Sequence, residues 1–227
     1  MIYVMSDIHG NLKNFNSIME QIKLKESDTL YILGDVIDRY PDGIKILRKI
    51  MKMPNAKMLL GNHEYMMLQA IGNPEINPTA LELWYCNGGT HDYFIDIRKD
   101  IRKKIVDYLR SLPLNIDIEV SGQKYKLVHG FPKEYYQDSD LKYNSETEYT
   151  VWKRIGPYEF VPEDYILIFG HTPTRKYQNC NPLEVWFGEN IIGIDCGSGL
   201  PVIDFMDHFK GRLACIRLDD MKIYYSN

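Results

Sequence analysis

Residues 29–40 read TLYILGDVIDRY: an apolar run at 29–33, then a glycine and a turn carrying two aspartates and an arginine. The run has the length and β-branched or aromatic character of a buried strand. A helix cap would need one acidic side chain after it, not two and a guanidinium. The same event recurs along the chain. IYVM (2–5) ends in Ser6-Asp7-Ile8-His9-Gly10, KMLL (57–60) in Gly61-Asn62-His63-Glu64, YKLV in His129-Gly130, and LIFG in His171-Thr172. Four of the six histidines of the chain lie at these strand ends. An aspartate or histidine after one strand is ordinarily a turn residue. Metal-capable side chains beside glycine at five strand ends are not explained that way, because open α/β sheets bind ligands beyond the carboxyl ends of their strands. Asp, Asn and His donors suit divalent ions such as Mn, Fe or Zn.

Between these points the first half alternates strand and helix. Leu12, Phe15, Ile18, Met19 and Ile22 share a helical face, DGIKILRKIM (42–51) is a second helix with Asp42 as its cap, and a third begins near Tyr65. Alternation of this kind predicts an α/β fold. About 71–112 reads as a helical insertion that includes LELWYCNGG and the amphipathic stretch at 97–110. The second half contains two hairpins, one around SGQ (121–123) and one over 213–226, and further strands at 165–169 and 191–195. The tyrosine-rich segment 132–150 is expected to be mobile, with little to anchor a core.

The 227 residues carry a net charge of −4, 44% hydrophobic residues and 26% charged ones. No basic stripe points to nucleic acid. No leader pattern or 18-residue apolar run is present, so a cytoplasmic protein without membrane contact is expected. Cys86, Cys180, Cys196 and Cys215 lack CxxC spacing and read as reduced thiols, mostly packed inside.

SDIHG, GDVIDR, GNHE and the later HG and GH, in this order, resemble the motif series of the calcineurin-like metallophosphoesterases. Within them the chain is most similar to the bacterial and phage branch of the serine/threonine protein phosphatases, from Asp7 to GIDCGSG at 193–199. The resemblance implies one domain over 1–227, built as a four-layer β-sandwich with mixed sheets flanked by helices. It also implies two divalent metal ions, Mn first, with Fe, Zn, Ni or Mg as alternatives. Asp7 and His9 would hold the first ion, Asp35 would bridge, and Asn62, His129 and His171 would complete the second. Two such ions carry +4 against −2 from Asp7 and Asp35, so the site would attract phosphate and activate a hydroxide for in-line attack. His63 would protonate the leaving alkoxide and Asp38 would orient it. Arg39 would grip phosphoryl oxygens, with Arg154 of VWKRI as a second clamp. Glu64 is read as a support to the site or a helix cap, Asp195 as a strand-end stabiliser, and Asn87-Gly88-Gly89 as a turn shaping the entrance. His91 and His208 receive no role.

Tyr40, Leu60 and Phe131 stand where the family commonly has glycine, arginine and glycine, which leaves the grip on substrate in question but no ligand. The implied activity is phosphomonoester hydrolysis, on phosphoserine or phosphothreonine proteins or on small phosphoesters. The alternative is a symmetrical dinucleoside-polyphosphate hydrolase acting on diadenosine tetraphosphate, whose enzymes tend to lack an aspartate matching Asp38. A non-catalytic scaffold is the third reading; it fits poorly with a complete set of ligands and acid.

Overall fold

A computed structural model describes residues 1–89, 96–159, 161–200 and 209–227. His91 and His208 lie outside them. The chain runs β1 (Ile2–Met5), α1 (Leu12–Ile22), β2 (Thr29–Ile32), α2 (Gly43–Ile50), β3 (Ala56–Met58) and α3 (Asn62–Ile71). It continues with α4 (Pro78–Cys86), α5 (Lys99–Arg110), β4 (Asn115–Val120), β5 (Gln123–Val128) and α6 (Glu146–Trp152). β6 (Ile166–Phe169), β7 (Trp186–Gly188), β8 (Ile191–Gly193), β9 (Ala214–Arg217) and β10 (Lys222–Tyr225) complete it. These form two mixed sheets, ordered β10-β9-β1-β2-β3 and β4-β5-β6-β8-β7. β1, β2 and β3 are mutually parallel in the first; β5, β6 and β8 are parallel in the second.

The inner strands β1, β2, β6 and β8 are largely apolar because both of their faces are covered, whereas the edge strand β4 alternates, with Asp117 and Glu119 exposed. Successive side chains point to opposite faces. Tyr3, Met5, Leu30 and Ile32 therefore pack with Phe15, Ile18, Ile46, Leu47 and Met67 of the helices. Val4, Tyr31 and Leu33 meet Leu127, Ile168 and Ile192 between the sheets. On the outer face of the second sheet, Val128, Leu167 and Phe169 pack against Phe131, Tyr143 and Tyr149. The order of layers is helices, sheet, sheet, then α6 with its flanking loops, as expected for the α/β sandwich. β7 is a strand that the sequence reading missed. No helix among the described residues is long and apolar enough to cross a membrane.

Three local expectations are corrected. Segment 132–150 does anchor a core: Tyr143 and Tyr149 are buried, and Phe131, Tyr135, Tyr136, Tyr143 and Tyr149 make ring contacts in a chain. Aromatic side chains bury large apolar area even in a polar sequence. Phe131 is thus a member of that cluster, which accounts for a large residue where glycine is common. α3 starts at Asn62, not near Tyr65, with Gly61 at its N-cap. Asp42 occupies the N-cap position of α2 but makes no side-chain cap; it pairs with Lys45 at 3.3 Å. Of the cysteines, Cys196 and Cys215 are buried and burial pushes both thiols up, whereas Cys86 is exposed and Cys180 half-buried.

Candidate metal centre and proton donor

The parallel strands of both sheets end at one place, and there the chain must reverse sharply. Asp7, His9, Asp35, Asp38, Arg39 and His171 all have positive φ, between 52° and 72°. Left-handed backbone costs a non-glycine residue on the order of 1–3 kcal/mol, and persists only where surrounding bonds dictate it. Those bonds are present. Asp7 N, His9 N and Gly10 N donate to Gly34 O, Asp35 O and Val36 O at 3.2, 2.9 and 2.7 Å, which ties the first turn to the second. Glu64 then fills the second turn: its carboxylate accepts from Asp35 N, Val36 N and Ile37 N at 2.8, 2.9 and 3.2 Å. It is neither a cap of α3 nor a ligand, but the plug that holds the turn. Burial and the nearby Asp35 charge push its pKa up to about 7.

Starting α3 at Asn62 places N-terminal N–H groups that have no acceptor within the helix inside the site. His63 N donates to Asp35 Oδ1 at 3.0 Å, as a carboxylate at a helix start favours. Gly61 is required at this junction, since a Cβ there would collide with the Asp35 carboxylate.

Asp35 turns one oxygen to each side. Its Oδ2 lies 3.6 Å from His9 Nε2 and 3.9 Å from His63 Nε2; its Oδ1 lies 3.4 Å from His129 Nε2. Asp7 Oδ1 is 3.8 Å from His9 Nε2. Ligand atoms of His9, Asp35 and His63 fall within 4.8 Å of one another, and so do those of Asp35, His129 and His171. The donor set and its spacing fit divalent cations. Two atoms each about 2.1 Å from a shared ion lie roughly 3–3.5 Å apart, longer than a hydrogen bond and close to these separations. His129 is oriented by Nδ1 donating to Leu33 O at 2.7 Å, while its Nε2 faces Asn62 Oδ1 at 2.9 Å. His171 spends Nε2 on Trp152 O at 3.2 Å, which leaves Nδ1 for the cluster. Ser6 Oγ donates to Asp7 Oδ2 at 2.5 Å, and His171 N to the same oxygen at 3.0 Å.

The electrostatics describe a buried site rich in acid. Burial, then the neighbouring Asp195, pushes Asp7 well up. Burial would raise Asp35 too, but His129 and His63 outweigh it and hold that carboxyl well below the usual range. Burial disfavours the charged form of His129, yet Asp35 lifts it to about 9. His9 and His171 are pushed down by burial, with Arg39 and His129 respectively adding to it. Bound cations would relieve the repulsion among these carboxylates.

His63 also has a different partner. Its Nδ1 lies 2.7 Å from Asp38 Oδ2, both groups buried, and its Nε2 is 3.5 Å from Arg39 Nη2. Trp84 Nε1 donates to the same Asp38 oxygen at 2.7 Å. Arg39 and Arg154 are exposed at the rim, where Arg154 Nη1 donates to His171 O at 3.0 Å; Arg154 lies two residues past α6 rather than on it. Gly88 O accepts from Arg39 N at 2.9 Å, so the 87–89 turn holds the backbone of Arg39. Tyr40 OH donates to Leu200 O at 3.0 Å across the entrance, and Leu60 is buried. Asp195 accepts from Gly197 N at 2.9 Å and stabilises the end of β8 as read. The residues missed in the sequence are Ser6 and Trp84. Ser6 adjoins a motif residue and could have been suspected; Trp84 lies in the insertion, three residues before the Asn87-Gly88-Gly89 turn, and nothing in the sequence ties it to Asp38.

Comparison with known proteins agrees with this geometry. The chain is 32% identical over 132 residues to serine/threonine-protein phosphatase 2 of Escherichia coli K12, covering 56% of this chain and 57% of that one. It is 41% identical over 68 residues to the symmetrical bis(5'-nucleosyl)-tetraphosphatase of Wigglesworthia glossinidia brevipalpis, covering 29% of this chain and 25% of that protein. The chain thus spans less than two thirds of the length of either. The metallophosphoesterase of Sphaerobacter thermophilus superposes with a TM-score of 0.59 at 18% identity, over 99% of this chain and 86% of the other, which shows a shared fold. With residues 1–209 matching the model of the calcineurin-like phosphoesterases, the chain belongs to that family.

Proposed function

We propose that the protein is a dinuclear-metal phosphomonoesterase acting on phosphoserine and phosphothreonine in proteins. The observation that carries this reading is the buried Asp38–His63 pair, closed at 2.7 Å beside the cation cage. Asp7, His9 and Asp35 would hold one cation, and Asp35, Asn62, His129 and His171 the second. When bound, such a pair supplies positive charge to phosphoryl oxygens and acidifies a coordinated water, with Mn the first choice for loading. The chain's own groups do the rest. Arg39 and Arg154 grip phosphoryl oxygens at the rim with planar donor forks. His63, held at Nδ1 by Asp38, presents Nε2 to the ester oxygen. Water oxygen, having given up a proton to solvent, forms the new bond to phosphorus, the ester P–O bond breaks, and the departing oxygen takes the His63 proton, which solvent then restores.

The leaving group decides between the two named activities. A serine or threonine alkoxide is a strong base and departs poorly without a proton, so an oriented acid matters. A nucleotide leaving from a polyphosphate ends in a phosphate whose own pKa is about 6, and gains little from one. The 41% match to a tetraphosphatase favours the second activity, but an Asp38–His63 donor is built for the first. The test is to load metal-free protein with Mn and compare kcat/KM on phosphoserine and phosphothreonine peptides with that on diadenosine tetraphosphate. The reading expects the peptides to be preferred; preference for the dinucleotide overturns it.

A further inference from the structure

We infer that Trp84, carried by α4 and distant in sequence from the strand-end motifs, is a positioning residue for the proton donor, holding Asp38 so that His63 Nε2 addresses the leaving oxygen. This rests on the reading of His63 as the acid. The geometry is a shared acceptor: Asp38 Oδ2 receives Trp84 Nε1–H at 2.7 Å and faces His63 Nδ1 at 2.7 Å. Trp84 and Asp38 are both 0% exposed. Water therefore does not compete for either group, and a hydrogen bond to a buried carboxylate is among the stronger ones.

Asp38 also sits on a turn with φ of 72°, so its backbone does not settle the side chain by ordinary preference. The indole does part of that work from 46 residues away. The end of α4 is built to keep it there. Asn87 N and Gly89 N both donate to Trp84 O, at 3.1 and 3.0 Å, and a Cβ on Gly89 would lie 2.8 Å from that oxygen. The same turn offers Gly88 O to Arg39 N. One helix end thereby holds a partner of the proton-donor pair and the backbone of the phosphate clamp. The insertion that contributes α4 is thus part of the catalytic end rather than an appendage to it.

A residue that only fills space would affect all substrates alike. A residue that aims the acid affects those needing protonation. The experiment measures kcat for Trp84→Phe, Mn-loaded, on a phosphoserine peptide and on an aryl phosphate with an acidic phenol leaving group. The expected result is a loss of about 10- to 100-fold on the peptide, the scale for residues that orient catalytic groups, with the aryl ester near wild type and metal content unchanged. Equal losses on both, or none on the peptide, overturn the inference. Should Trp84→Phe fail to fold, the tryptophan analogue with sulfur replacing the indole N–H keeps the shape and removes only the donor; the same two outcomes apply. A second readout needs no turnover: the Trp84 indole N–H proton resonance should move upfield in Asp38→Asn, and an unmoved signal overturns the contact. His63→Asn separates the two layers. If it retains peptide turnover, the acid reading fails and the inference with it. If it loses turnover while the Trp84 variants do not discriminate between substrates, only the inference fails.

Discussion

Two kinds of imidazole–carboxylate pair lie within one site and differ in spacing. Asp38 and His63 meet at 2.7 Å, with Trp84 completing the carboxylate. Asp35 stands 3.4 to 3.9 Å from His129, His9 and His63, spread among several rings and closed tightly on none. The first spacing makes a finished hydrogen bond, suited to holding a proton donor in place. The second leaves room for a cation, although Asp35 and His129 already attract each other across it. On the proposed reading, residues of the same chemical type serve as acid or as cage through a difference of about 1 Å, set by the turns that carry them.

The largest way to break this contrast is Asp35→Asn. It should lower metal affinity by more than about 100-fold, beyond what an orienting residue costs, and abolish hydrolysis; metal retained after gel filtration is the check. Asp38→Asn should do the converse. Metal stoichiometry should hold while kcat on phosphoserine peptide falls by about 10²- to 10⁴-fold, the usual worth of a general acid. Loss of metal in that variant would merge the two pairs into one unit. Glu64→Ala should strip three buried N–H groups of their acceptor and cost about 3 kcal/mol in urea unfolding, with activity falling as the turn relaxes.

The smallest effect is on pH. In metal-free protein the raised His129 pKa stabilises the fold fully below the unfolded value of 6.5 and loses that contribution as pH rises through about 9. The raised Glu64 acts in the same direction up to about 7. Urea midpoints of chelated protein should therefore decline from pH 6.5 to 9. Metal must displace the proton on His129 Nε2, so its affinity should rise over that interval, with proton release seen in calorimetry across buffers.

Much of the site was legible in the sequence because each metal-capable residue adjoins a strand end, and strand ends announce themselves by an apolar run followed by glycine. Glu64 was read as a support to the site or a helix cap, but what it supports was not legible: no local rule says that a helix residue will plug a turn near 35–37. Segment 132–150 was misjudged because its tyrosines count as polar in a pattern search, while their rings pack on one another and on Phe131.

Residue identity and order along the chain were enough to name the donors, the alternating α/β layout and the family resemblance, since these depend on local periodicity and on motifs a few residues long. Distances were not written there. Whether Asp35 faces three histidines across a gap, whether Asp38 touches His63, and that Trp84 reaches Asp38 at all depend on two sheets stacking with their parallel strands ending together. That arrangement comes from burying both faces of each sheet, a property of the whole chain and not of any stretch of it.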